Sequence, residues 1–137
     1  MPIKLKLDTV QKLLVAHTAG QVTADDIIAA TEDEIVRTNG VSLHSDCIIL
    51  LDRTTDYHRL DFDAMMRLKD KMEYWVKRYP GRNVRVAFVV PHGRHLAVPT
   101  LWQAIGEMFP RVGERTKIFA SDCDALGWLR PGDEVRH

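Results

Sequence analysis

Two short stretches hold the side chains best suited to chemistry. Asp52-Arg53-Thr54-Thr55-Asp56 follows the apolar run Cys47-Ile48-Ile49-Leu50-Leu51, and His92-Gly93-Arg94-His95 follows a second apolar run that ends at Pro91. An imidazole beside a carboxylate is the minimum for general-base work, because the carboxylate orients the ring and raises its basicity. Arg94 and His95, just before a helix whose first amides are unpaired, suit a phosphate or a carboxylate. If the two runs are central parallel strands, both stretches lie at their carboxyl ends, where ligands collect in open α/β sheets. No nucleophile elbow, phosphate-binding loop or H-E-x-x-H motif accompanies them. The expectation is therefore ligand binding by Asp52, Arg53, Thr54, Thr55, His92, Arg94 and His95 without catalysis. The alternative is a small enzyme using His92 or His95 as base with Asp52. Two histidines in one loop lack a third ligand at a defined spacing, so neither a metal nor another cofactor is expected.

The elements that would position these residues follow from periodicity. Ile3, Leu5 and Leu7 alternate with Lys4, Lys6 and Asp8, a half-buried strand. A second run from Gln11 to Thr18 follows closely enough to form an antiparallel hairpin, although no Asn-Gly or Asp-Gly marks the turn. Thr23 is a helix N-cap with Asp25 and Asp26 in the first turn. Ile27, Ile28, Thr31 and Ile35 face inward from that helix, Glu32, Asp33 and Glu34 mostly outward, and Asn39-Gly40 ends it. After the central strand and its loop, Asp61 caps a long helix whose stripe is Met65, Leu68, Met72, Trp75 and Tyr79, a pattern that reads as core before it reads as a ligand cavity. Val84 to Val90 make a second buried strand. Pro99 opens a third helix with Val98, Leu101, Trp102, Ile105, Met108 and Phe109 inward. Lys117 to Ala120 is a brief last strand, and Ser121 caps a short helix carrying Ala125, Leu126, Trp128 and Leu129. Strand and helix alternate from Gln11 onward, which implies parallel strands with right-handed crossovers beside the N-terminal hairpin.

The totals bound the partners. A chain of 137 residues, 45% hydrophobic and 28% charged, is one globular domain over residues 1–137, with the tail from 130 expected to fray. Lysine plus arginine and aspartate plus glutamate are equal at 19 each, so no global field recruits nucleic acid or anionic membrane. No apolar run spans a bilayer, and Cys47 and Cys123 form no framework, which points to a reducing, cytoplasmic setting. Charge is nonetheless segregated: the stretch from Arg67 to Arg85 is basic and the helix after Thr23 is acidic. Such faces suit docking of a protein partner or self-association into a homodimer, although they are commonly just solvated.

In this order, Gly20-x-Val22-Thr23, Leu51-Asp52, Val86-Ala87-Phe88-Val89-Val90, Ile118-Phe119 and Ala125-Leu126-x-Trp128-Leu129 resemble the bacterial SpoIIAA-like proteins, relatives of STAS domains sometimes grouped with Sec14-type lipid-binding folds. The resemblance covers roughly residues 3 to 130 and implies a STAS-like α/β fold: a mixed sheet with an N-terminal antiparallel hairpin, then parallel β-α units, and helices flanking the sheet. It implies a regulatory or binding module for a protein partner or a small anionic or lipid-like ligand. For regulatory STAS members the resemblance also implies a phosphorylatable serine at the start of the helix after the central strand. Here that stretch is Asp61-Phe62-Asp63-Ala64, with Phe62 in the acceptor's place, so the resemblance implies that this switch is absent or displaced. The nearest upstream hydroxyls are Thr54 and Thr55.

Overall fold

A computed structural model describes residues 2–91 and 96–130 of the chain. Five strands, β1 (Ile3–Asp8), β2 (Leu13–Thr18), β3 (Asp46–Leu51), β4 (Val84–Val89) and β5 (Glu114–Phe119), form one sheet in the order β1-β2-β3-β4-β5. β1 and β2 are antiparallel and the remaining neighbours are parallel. Among the described residues four helices accompany them: α1 (Ala24–Arg37), α2 (Phe62–Arg78), α3 (Ala97–Met108) and α4 (Asp122–Leu129). The α/β class with a mixed sheet is as the sequence implies. β5 begins three residues earlier than expected, and two short 3-10 turns, Val41–His44 and Pro110–Val112, were not legible.

The local signals act as physical chemistry requires. Thr23 Oγ1 accepts from the Asp26 amide while Asp26 Oδ2 accepts from the Thr23 amide, a reciprocal cap. Asp61 and Ser121 cap α2 and α4 through the amides of Ala64 and Asp124. The hairpin needs no Asn-Gly, because Asp8 Oδ1 accepts the amides of Val10 and Gln11 and Lys12 takes a positive φ of 55°. Asn39 and Gly40, both at positive φ, close α1.

The strand order has a consequence for the site. Each crossover from β2 to β5 steps one strand in the same direction, and right-handed connections of that kind place their helices on one face. The contacts agree: α1 packs on β1, α3 on β5, and α2 lies between them against α1 and the Pro110–Val112 turn. That face holds the larger core, including Ala16, Cys47, Val86, Phe88, Met65 and Trp102. Among the described residues the opposite face carries only α4, whose Ala125 and Leu129 cover Ile48, Ala87 and Val89 on β3 and β4.

Two side chains expected on the wrong side of the surface correct the helical readings. Met108 is 71% exposed, because α3 ends there and the chain turns away at Phe109. Glu34, expected outside, is only 5% exposed. Its carboxylate accepts the Leu7 amide of β1 at 2.8 Å and both Nε and Nη2 of Arg37 at 2.7 and 2.6 Å, so it carries its charge inward with its partners.

Candidate functional site

The order β1-β2-β3-β4-β5 contains no reversal, so the sheet has no switch point of the kind that opens a crevice at the strand ends. The loop after β3 is instead zipped to the chain leaving β2. The Asp52 amide donates to Thr18 O, the Asp56 amide to Gly20 O and the Val22 amide to Asp56 O, at 3.0, 2.7 and 2.9 Å. Asp52 Oδ2 accepts both the amide and the hydroxyl of Thr54, and Thr54 Oγ1 accepts the Gly20 amide. Arg53 is exposed. Thr55 is 1% exposed and donates its hydroxyl to Thr18 O at 2.8 Å. Asp52, Thr54 and Thr55 thus share one loop that fastens two strand ends. His92, Arg94 and His95, and with them the proposed pairing of either histidine with Asp52, lie outside the described residues.

A histidine–aspartate pair does occupy this loop, between Asp56, which the sequence reading placed here, and His58, which it passed over. His58 Nδ1 lies 2.8 Å from Asp56 Oδ2, and its Nε2 faces the Gln21 amide at 3.5 Å. The imidazole is 61% exposed. The carboxylate orients a solvated ring there, and a general base also needs a substrate held beside it in a pocket. On the opposite face, Lys4, His17 and Leu50 line a broad recess of about 600 Å³ that ends at Asp52.

The concavity with a built lining is internal. A cavity of about 150 Å³ lies between the covered face of the sheet and α2. Its floor is Leu14 and Ala16 of β2, Cys47 and Ile49 of β3, and Val86 and Phe88 of β4, all on the pleat face that points toward the helices. Its roof is Met65, Leu68, Met72 and Trp75 of α2, with Trp102 of α3 and Ile27 of α1 at the sides. The methionine and aromatic stripe of α2 is therefore both core and cavity wall. α2 is held above this floor by α1 on one side and the Pro110–Val112 turn on the other.

Polar groups stand at the two ends. Thr18, the last residue of β2, and Tyr57 line the carboxyl end. Tyr57 Oη donates to Thr18 Oγ1 at 3.4 Å, and Thr18 Oγ1 lies 3.1 Å from Thr55 Oγ1. Because the Thr55 proton is already on Thr18 O, the hydroxyls run in one direction, from Tyr57 to Thr18 to Thr55. Arg82 and Glu114 line the amino end, joined by Arg82 Nη1 to Glu114 Oε2 at 2.8 Å, with side chains 7% and 4% exposed. Arg82 Nε also donates to Leu43 O and Nη1 to Val112 O, while Glu114 Oε1 accepts the Trp102 indole N–H. Gly113 permits this junction. Its φ is +71°, and a Cβ there would stand 2.4 Å from Arg82 O. Sequence reading missed Tyr57, Arg82 and Glu114 because each is a lone polar residue outside any motif.

The lining is chemically quiet. Burial, with the Glu114 carboxylate adding to it, pushes the Cys47 thiol up to about 12, and burial likewise pushes the Tyr57 phenol up to about 12. Both stay protonated at neutral pH, so neither is a ready nucleophile or base. Among the described residues no group of three histidine, cysteine, aspartate or glutamate side chains is placed to hold a metal ion, and no helix is long and apolar enough to cross a membrane. Comparison with protein-family models, curated proteins and solved structures yields no match to this chain.

Proposed function

We propose that this protein is a non-enzymatic, cytoplasmic binding module of the STAS-like, SpoIIAA-like kind, and that it takes a small, mainly apolar molecule beneath α2. The observation that carries the reading is the cavity, walled by Leu14, Ala16, Ile49, Phe88, Met65 and Trp75 with polar groups a minority of its lining. Ligand pockets commonly have this character, apolar with a few placed polar groups. A cavity of this size in other proteins accommodates benzene. The order of elements, a hairpin followed by three β-α units on one helical layer, supports the STAS-like assignment. The protonated state of Cys47 and Tyr57 supports binding over turnover. The ligand's place moves inward from the strand ends, with Thr18 and Tyr57 linking the cavity to the loop that holds Asp52, Thr54 and Thr55.

Trp75 and Trp102 line the cavity and report its occupation, whereas Trp128 packs on the other face. Toluene in a titration should change tryptophan emission saturably and raise Tm, since a ligand bound only by the folded state stabilises it. Ala16→Leu, which fills the floor, should abolish both responses while circular dichroism stays native. No saturable response of the native protein up to the solubility limit of toluene defeats the reading.

A further inference from the structure

We infer that the cavity selects an uncharged guest bearing a hydrogen-bond acceptor, a ketone or ether oxygen on a compact apolar body, held by the Nη2 group of Arg82. The inference rests on the cavity being a binding site and adds the chemistry of its occupant. It follows from how the ionisable side chains of the lining are already engaged. Glu34 gives both oxygens to Arg37 and one also to the Leu7 amide. Glu114 gives Oε1 to Trp102 and Oε2 to Arg82. Neither carboxylate has an oxygen left without a donor to meet a cation. Arg82 is neutralised by Glu114 at 2.8 Å, so an entering carboxylate finds a compensated pair and a second buried negative charge beside it.

What remains is donor capacity at the amino end, on Arg82 and on the buried Ser42 beside it, whose hydroxyl has no hydrogen-bond partner among the described residues. Nε and Nη1 of Arg82 bond Leu43 O, Val112 O and Glu114, and among the described residues Nη2 has no partner. A guanidinium has no acceptor, so this group can only donate. At the other end the Tyr57 and Thr18 hydroxyl protons point along their own chain, which leaves oxygen lone pairs and no donor for the guest. A molecule with one acceptor oxygen satisfies the unpaired donor. A hydrocarbon leaves it unpaired, and an ion brings a charge that nothing offsets.

Four ring compounds of similar size separate the possibilities: cyclohexanone, methylcyclohexane, cyclohexanecarboxylate and cyclohexylamine, titrated at pH 7 against the full chain with tryptophan emission and calorimetry. Cyclohexanone should bind about tenfold tighter than methylcyclohexane, the scale of a hydrogen bond from a charged donor after desolvation. The carboxylate and the amine should show no saturable binding. If either ion binds as tightly as cyclohexanone, or methylcyclohexane matches it, the inference is overturned while the cavity stands as a binding site. If none of the four binds, the cavity reading fails and takes the inference with it. Arg82→Lys should remove the ketone's advantage over the hydrocarbon. Should that variant not fold, the four-compound series on the native protein decides the matter alone.

Discussion

Arg82 Nη1 meets Glu114 Oε2 at 2.8 Å with both side chains more than nine-tenths buried, at the amino ends of two neighbouring strands. Isolated ions are expensive to bury, and this pair is tolerated because Leu43 O, Val112 O and the Trp102 indole satisfy the remaining bonds. Arg82→Met should therefore cost about 3–5 kcal/mol, by stranding the Glu114 carboxylate. The double variant Arg82→Met with Glu114→Gln should recover a clear part of that loss. Urea unfolding of the set measures it; additive losses would mean the pair is not coupled.

Glu34 stitches α1 to β1, and its hydrogen bonds from Arg37, outweighing the opposing effect of burial, hold its carboxyl below the usual carboxylate range. The sign follows directly. A lowered folded value contributes stability above the ordinary value near 4.5 and loses it as pH falls through the folded one. Glu34→Ala should cost about 1.5–3 kcal/mol at pH 7, the range for hydrogen bonds to a charged group. The difference between native protein and variant should shrink progressively below pH 4.5. A pH-independent difference in denaturant midpoint contradicts this.

Cys47 is buried in the cavity wall with its thiol pushed up to about 12, while Cys123 is exposed. An aromatic disulfide reagent at pH 8 should titrate one equivalent in the folded protein and two in urea. Cys123→Ser should remove the fast equivalent.

The acidic and basic helices meet within the chain. Arg67 pairs with Asp25, and Lys71 Nζ lies 3.4 Å from Glu32 Oε1, both linking α2 to α1. Lys69, counted with the basic face, is 8% exposed, bridges Asp70 and Glu73, and stands 4.5 Å over the Phe109 ring. Segregation that suggested docking of a second molecule is thus used in part to dock α2 on α1. Arg67→Ala and Lys71→Ala should each change stability by less than about 1 kcal/mol, with the effect fading in high salt. A loss above about 2 kcal/mol from either would show that these pairs position α2 over the cavity.

The sequence by itself determined the class of fold, the four helices, their caps and the five strands. These are local properties: Thr23 with Asp26, Asp61 and Ser121 act within one turn, and alternation in Ile3, Leu5 and Leu7 needs only the pleat. It also placed Asp52, Thr54 and Thr55 correctly at the end of the central strand. What it could not determine was where a ligand has room. That depended on strand order, because a sheet whose order never reverses has no switch point and gathers α1, α2 and α3 on one face. It depended equally on α2 bridging α1 and the Pro110–Val112 turn above the sheet, so that Met65, Met72 and Trp75 became a roof as well as a core. Glu34, Tyr57, Arg82 and Glu114 gained their roles only there. Apart from Arg37, which meets Glu34 within one helical turn, their partners lie far away in sequence, and a lone polar residue carries no periodic signal of the partner that will make its burial affordable.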